Sequence, residues 1–542
     1  MNMKKLMKFF WISVFVITIM LLNINGVIAS ERPLRTNCTF PILIDPASSR
    51  DLASKIAILN LYDPLVFSDV KGKTQPHVAE NWKVSDDGLT WTFYIRKGIK
   101  FHDGSELTAS DVKFSFDRIR TIGGGMAFLF LEQKISAEVI DTYTLNFYLE
   151  KPSGIFLLTL LNFYILNEDE VRANIKQTGI YGELGDYGKE YLLMHDAGSG
   201  PYMLKDFAFE SSLIMVVNPN YWIPIDPNAP DEFEMIVASE AVTCRTLLSK
   251  RELEIGDQNQ SLENLTNFKK IKGVEIAKYS FSGIWGLWMH TRKPPTDDIH
   301  FRKAMAWAFD YDVLVNQILI GYVQAKGPIP QVDPSHDPTV FQYHRDLDKA
   351  MEELKQSKYY GQLEKYPVEL HWCAEVPDEE KIALLFMSNM VDIGIKVKVV
   401  KTPWMSLVNE SSSMETSANI TCTYPASNYL EAGSLLAICY ASYVSPSPNS
   451  NAWLCDPIYD AMLADAIQTL DDDERFAKYN KLQHYIVDLC PAIFLCDQTY
   501  RRPFQSYYVD WYVDKPFSPI TGYDFIVRNI KIYPEKRAEL LK

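Results

Sequence analysis

Hydrophobic positions along this chain switch repeatedly between a period of two and a period near 3.6. The run TWTFYI at 90–95 alternates imperfectly and predicts a strand, followed by Gly98 and the His102-Asp103-Gly104 turn. Thr108 with Asp111 three residues on has the form of a capping box, and Val112, Phe116 and Ile119 then mark the buried face of a helix. Tyr143, Leu145, Phe147 and Leu149 alternate with polar neighbours, which predicts a half-buried strand ending near Pro152. Another strand is expected at 213–217, closed by Asn218-Pro219. Ahead of it, Gly198 and Gly200 are expected to supply backbone angles that other residues resist.

The second half carries longer helical patterns. Phe301, Met305, Ala308 and Phe309 predict a helix that runs on to a C-cap at Gly321. Residues 346–357 form a second amphipathic pattern. Ile382, Leu385, Phe386 and Ile393 form a third, stopped by Gly394 and followed by a strand at 397–400. Two helices divided at Asp471-Asp472-Asp473 fill 456–489, and a strand at 492–495 closes the series. Strands and helices alternate through long stretches, with no tandem repeat, so the expected class is α/β. At 542 residues the chain is too long for one ordinary core, and several domains are expected.

The first 29 residues follow a different logic. Lys4, Lys5 and Lys8 precede a 14-residue uncharged run at 9–22, and Val27-Ile28-Ala29 offers a cleavage site after Ala29. The run is shorter than the roughly 20 apolar residues of a bilayer span, although retention as an anchor is the alternative. Cys38 stands in RTNCTF, without the small residues of a lipoprotein signal, so lipid anchoring is disfavoured. A periplasmic or extracellular location follows. The net charge of −15 becomes more negative once three leader lysines are gone, which argues against nucleic acid or anionic lipid as partner. The eight cysteines show no C-x-x-C, so zinc is poorly supported. Cys490 and Cys496, extended, would lie about 20 Å apart, too far to bridge each other. Cys422, Cys439 and Cys455 are read either as containing a bridge or as buried free thiols.

No catalytic constellation emerges. The chain has no G-x-S-x-G elbow, no Gly-Lys-Ser/Thr phosphate loop and no H-E-x-x-H. Neither His290 with His300 nor His336 with His344 has the spacing of a ligand face on a helix. No catalytic residue, metal site or cofactor is therefore assigned, and the protein is read as a non-enzyme.

The segment YDPLVFSDVKGKTQPHVAENWKVSDDGLTWTFYIRKGIKFHDGSELTASDVKFSFDRI at 62–119 resembles extracytoplasmic solute-binding protein family 5, the receptors of peptide and nickel ABC importers. The GSGPY segment at 198–202 and Arg302, Ala304, Ala308 and Asp310 match further motifs in order, from about 39 to 502. The resemblance implies a two-lobed periplasmic-binding-protein fold (type II, cluster C-like) with an extra domain. It implies a discontinuous core domain at 30–72, 199–282 and 497–542, the extra domain at 73–198, and the opposite lobe at 283–496. It also implies a ligand clasped between lobes and an ABC permease as partner.

Ligand choice in peptide-binding members rests on a W-x-x-D-Y-x-D-P segment, whose first Asp pairs with the peptide ammonium. Aligned on Tyr429, this chain has Asn428 in place of that Asp, Glu431 in place of the second and Ala432 in place of the Pro. Asn offers hydrogen bonds without charge; a slip of three would make Glu431 the anchor instead. Trp285, Trp404, Asn451 and Trp453 complete the candidate site, with core and cleft both open for the tryptophans. Trp288 and Trp307 are expected in the core. The expected function is capture of an oligopeptide or similar polar solute, with an oligosaccharide as the alternative ligand. An exported hydrolase and a chemosensory binding protein are the rivals from other classes.

Overall fold

The computed structural model describes residues 31–542 apart from Pro41, Arg50 and Glu132, so the expected leader at 1–29 lies outside the described residues. Three larger sheets, beside two two-stranded ones, organise the described residues. In the first, Pro33–Cys38 pairs in parallel with Glu232–Val237, and Ser212–Val217 and Tyr202–Ala208 extend it antiparallel. The second is antiparallel, in the order Ala79–Val84, Thr90–Ile95, Thr144–Tyr148, Ser136–Asp141. Its inward side chains Trp91, Phe93, Leu145 and Phe147 pack with Phe116 of the helix Ala109–Ile122. The rings meet edge to face, Phe116 and Phe147 at 4.9 Å and 72°, the geometry that ring quadrupoles favour. The expected capping box is present: Thr108 donates its backbone N and hydroxyl to Asp111 Oδ2 at 2.8 and 2.9 Å.

The third sheet runs Val397–Thr402, Val368–Cys373, Ile420–Thr423, Glu275–Met289, Ala492–Phe504. Successive residues of a strand face opposite sides. Trp285, Leu287, Met289, Ile493 and Leu495 pack on one face with the helices Ile299–Ala308 and Pro377–Val391. Ile284, Trp288, Ala492 and Phe494 pack on the other with Gly433–Tyr440 and Asp472–Leu489. Burial on both faces explains why GIWGLWM and AIFLC read as unbroken apolar runs.

Glu275–Met289 and Ala492–Phe504 also join two separate cores. Tyr279, Phe281 and Tyr500 belong to the core of the first two sheets, whereas Trp285, Leu287 and Ile493 belong to that of the third. The fold is therefore two-lobed, with a strand pair crossing from lobe to lobe. Its register shifts between Ser280 and Ile284. At that shift a Cβ on Gly283 would lie 2.0 Å from Gln498 Oε1 and 3.0 Å from the carbonyl of Pro425. A larger residue there would have to displace the Gln498 side chain and crowd the Pro425 carbonyl.

Two expectations change. The helix expected from 301 to 321 ends at Ala308; Asp310 accepts from Val313 N at 2.9 Å and starts a separate turn. A capping carboxylate thus breaks a pattern whose apolar spacing runs on. Gly198 and Gly200 do not adopt left-handed angles. They are needed for room, since Cβ atoms there would lie 2.0 Å from the Leu61 carbonyl oxygen and 2.5 Å from its carbon. All eight cysteines are free thiols, and all but the half-buried Cys455 are buried.

Candidate functional site

Parallel strands leave their carboxyl ends on one edge, and open sheets hold ligands beside that edge. Both lobes obey this rule toward the same space. Thr39 and Phe40 follow the strand Pro33–Cys38. Val376, Trp404 and Tyr424 follow Val368–Cys373, Val397–Thr402 and Ile420–Thr423, which run parallel to one another. These residues line one cavity of about 410 Å³ between the lobes, with Ile56, Met235 and Arg502 on the first lobe and Val408, Ile438 and Pro448 on the other. Its size lies within the roughly 300–1,000 Å³ of small-ligand sites.

The walls touch across the cleft. Phe40 and Trp404 meet at 5.6 Å between ring centres. Tyr424 donates its hydroxyl to Asn259 Oδ1 at 3.0 Å, and Thr521 Oγ1 donates to the Ser427 carbonyl at 3.1 Å. Lys55 Nζ, from the first lobe, donates to Asn428 Oδ1 at 2.7 Å. The cleft is thus closed.

Three carboxyl groups stand in an otherwise largely apolar lining. Asp51 caps the helix Leu52–Leu61 by accepting from Ser54 N at 2.9 Å, and burial raises its pKa. Burial also raises Asp257, against hydrogen bonds from Thr39 and the charge of Arg502. Glu379 accepts from Cys373 N at 2.6 Å; burial, with the like charge of Glu375, pushes its pKa well up. Arg502 donates to the Gly256 carbonyl at 2.7 Å and pairs with Asp524 at 3.5 Å. Among the described residues, no unpaired cation lines the cavity. Thr423 Oγ1 is buried in the wall without a hydrogen-bond partner. No group of three or more His, Cys, Asp or Glu suited to a metal occurs among the described residues, and no helix there is long and apolar enough to cross a membrane.

Of the residues singled out from the sequence, Asn428 and Trp404 line this cavity. Trp404 opens the helix Trp404–Glu410, and its N donates to Glu375 Oε2 at 3.0 Å. The others do not line it. Trp285 stacks on Tyr424 at 4.5 Å and 28°, so Tyr424 is the ring that the cavity meets. Tyr429 is buried at 1% exposure. Glu431 is buried and ion-paired with Arg475. Asn451 accepts from Ser411 Oγ at 2.8 Å and donates to the Pro448 carbonyl at 2.5 Å, bracing a cavity-lining residue. Trp453 donates to Ser417 Oγ at 2.9 Å and faces His290. Sequence reading passed over Phe40, Asp51, Asp257, Glu379 and Tyr424. Phe40, Asp51, Glu379 and Tyr424 share a signal of position, just after a strand or at a helix start, whereas Asp257 lies in a loop two residues after the bridging Ile255.

A two-lobed α/β chain with a closed interlobe cavity at the carboxyl ends of its parallel strands has the build of a solute-binding protein. Residues 73–444 match the profile of bacterial extracellular solute-binding proteins, family 5 Middle, and the chain belongs to that family. It is 27% identical to the probable D,D-dipeptide-binding periplasmic protein of Escherichia coli over 85% of this chain and 87% of the relative. It is also 27% identical to heme-binding protein A of Haemophilus influenzae, over 89% and 88%. Among solved structures it is similar to a periplasmic binding protein of Helicobacter pylori in complex with the peptide STSA. That likeness has a TM-score of 0.79 at 22% identity and covers 93% of this chain and 99% of the other.

Proposed function

We propose that this protein is the receptor of an ABC importer, which captures an oligopeptide or similar-sized polar solute between its lobes and hands it unchanged to a membrane permease. The observation that carries this reading is the closed cavity itself, walled by both lobes, with an apolar surface interspersed with hydroxyl, amide and carboxyl groups. Such a site grips by excluding water and orients by a small number of hydrogen bonds. Ligand binds the closed form best and so shifts the open–closed balance toward it. The crossing strand pair, with its register shift at Ser280–Ile284, is the assigned hinge. The assigned division is a core domain of 30–72, 199–282 and 497–542, an extra domain of 73–198, and an opposite lobe of 283–496. The receptor works outside the cytoplasm after cleavage behind Ala29, without lipid, and catalyses no reaction.

The rings of Phe40, Trp404 and Tyr424 beside the neutral Asn428 favour a second ligand class, a neutral oligosaccharide, since flat faces and amides suit sugars. Titration followed by tryptophan fluorescence separates the two, because Trp404 stands in the wall. Short peptides are expected to saturate the signal while cello- and manno-oligosaccharides leave it flat; the reverse pattern transfers the proposal to sugars. Bound ligand is expected to be recovered intact by mass spectrometry, and turnover would replace the receptor by a hydrolase. The mature N-terminus is expected at Ser30.

A further inference from the structure

Lys55 lies in a helix, Leu52–Leu61, that is buried at every position from Ala53 to Leu61. A long cationic side chain in such a helix must find acceptors or give up its proton. It finds two amide oxygens. Its Nζ donates to Asn162 Oδ1 at 2.9 Å and to Asn428 Oδ1 at 2.7 Å. Lys55 forms no ion pair with a carboxylate among the described residues, and burial lowers its pKa to about 7. Whether charged or neutral, the lysine nitrogen has two N–H bonds for these two oxygens.

The same contacts fix what Asn428 has left. Its carbonyl accepts from Asn162 Nδ2 at 2.9 Å, and its backbone N donates to Ser434 Oγ at 2.7 Å. Its side-chain oxygen faces Lys55, an orientation set by chemistry because the lysine can donate through these hydrogens and an amide NH2 cannot accept. The remaining group is the Nδ2 amide, which makes no hydrogen bond among the described residues, and Asn428 lines the cavity. Both oxygens of this residue thus already accept a hydrogen bond, and Nδ2 is its polar group still without a partner.

We propose that Lys55 is a specificity-determining residue: by engaging the side-chain oxygen of Asn428 it turns this part of the wall into a reader of acceptor groups. The ligand group that meets Asn428 is a carbonyl, carboxylate or hydroxyl oxygen, and an ammonium is turned away there. This rests on the receptor reading above and narrows its ligand class. Lys55 acts through Asn428, as a positioning residue, and does not line the cavity itself.

The test is calorimetric titration of wild type, Asn428→Asp and Lys55→Met with a panel of short peptides, each with a free and an acetylated N-terminus, and neutral oligosaccharides. In wild type, acetylation is expected to change affinity by less than about threefold. Asn428→Asp, which puts a carboxylate oxygen where the N–H2 stood, is expected to weaken binding of the same ligands by roughly tenfold or more. Lys55→Met frees the amide oxygen and is expected to improve free-amine peptides relative to their acetylated forms. Wild type that loses roughly tenfold on acetylation, with tighter amine binding in Asn428→Asp, overturns the inference while leaving the receptor intact. Unaltered amine preference in Lys55→Met, with the protein folded by circular dichroism, also overturns it. Silence toward the whole panel in every variant overturns the peptide and sugar readings, and the inference falls with them.

Discussion

Asn428 and Glu431 stand three residues apart in one loop, yet their surroundings are opposite. Asn428 reaches the interlobe cavity and is held by Lys55 and Asn162 from the facing side. Glu431 turns into its own lobe, where Arg475 grips it while also bonding the Thr469 carbonyl at 2.9 Å and Asp472 at 2.7 Å. The residue with the charge is consumed by structure, and the neutral one remains available to a ligand. A polar residue's role is thus set by which of its donors and acceptors are already engaged, rather than by its formal charge.

The contrast can be broken from the Glu431 side first. Replacing Arg475 with Met leaves a buried carboxyl without its partner, and a loss of about 3–5 kcal/mol in unfolding free energy is expected. Chemical denaturation measures it; a loss under about 1 kcal/mol would mean that Glu431 is not held as described. Next comes Lys55, on the other side of the comparison. Its pKa of about 7 in the folded chain lies below the ordinary 10.5, so between these values the unfolded chain binds more protons. Its contribution to stability therefore rises with pH across that window, by at most about 1.4 kcal/mol per pH unit, and is flat below it. Subtracting the pH profile of Lys55→Met from that of wild type should show this rise; a flat difference contradicts it. The smallest effect belongs to Tyr424→Phe, which removes one hydrogen bond across the cleft to Asn259 and keeps the ring. It should weaken the closed form by about 0.5–1.5 kcal/mol, read as a several-fold loss of ligand affinity.

Much of the fold was legible because local chemistry and packing agree. Thr108 and Asp111 both cap the helix and place Phe116 against the sheet, so its start and buried face could be read together. The break after Ala308 was not legible, because the apolar spacing continues past it and only the side chain of Asp310 ends the helix. The site was legible in part. Asn428 and Trp404 were found from a resemblance, and both line the cavity. Trp285 shows why aromatic content leaves core and cleft open. In a strand buried on both faces, a ring that packs beneath the wall and a ring that forms it have the same sequence signature, and Trp285 is covered by Tyr424. Phe40, Asp51 and Lys55 belong to segments hundreds of residues from Trp404 and Asn428. Their joint site depends on how two lobes meet, which no local pattern encodes.

The central claim is a cleft that shuts over a guest and later releases it. Small-angle scattering of the purified protein, with and without a ligand shown to bind by calorimetry, tests it most directly. The account predicts a smaller radius of gyration and a shorter maximum dimension on binding, reversed when the intact ligand is dialysed away. Identical scattering curves at saturating ligand would contradict it.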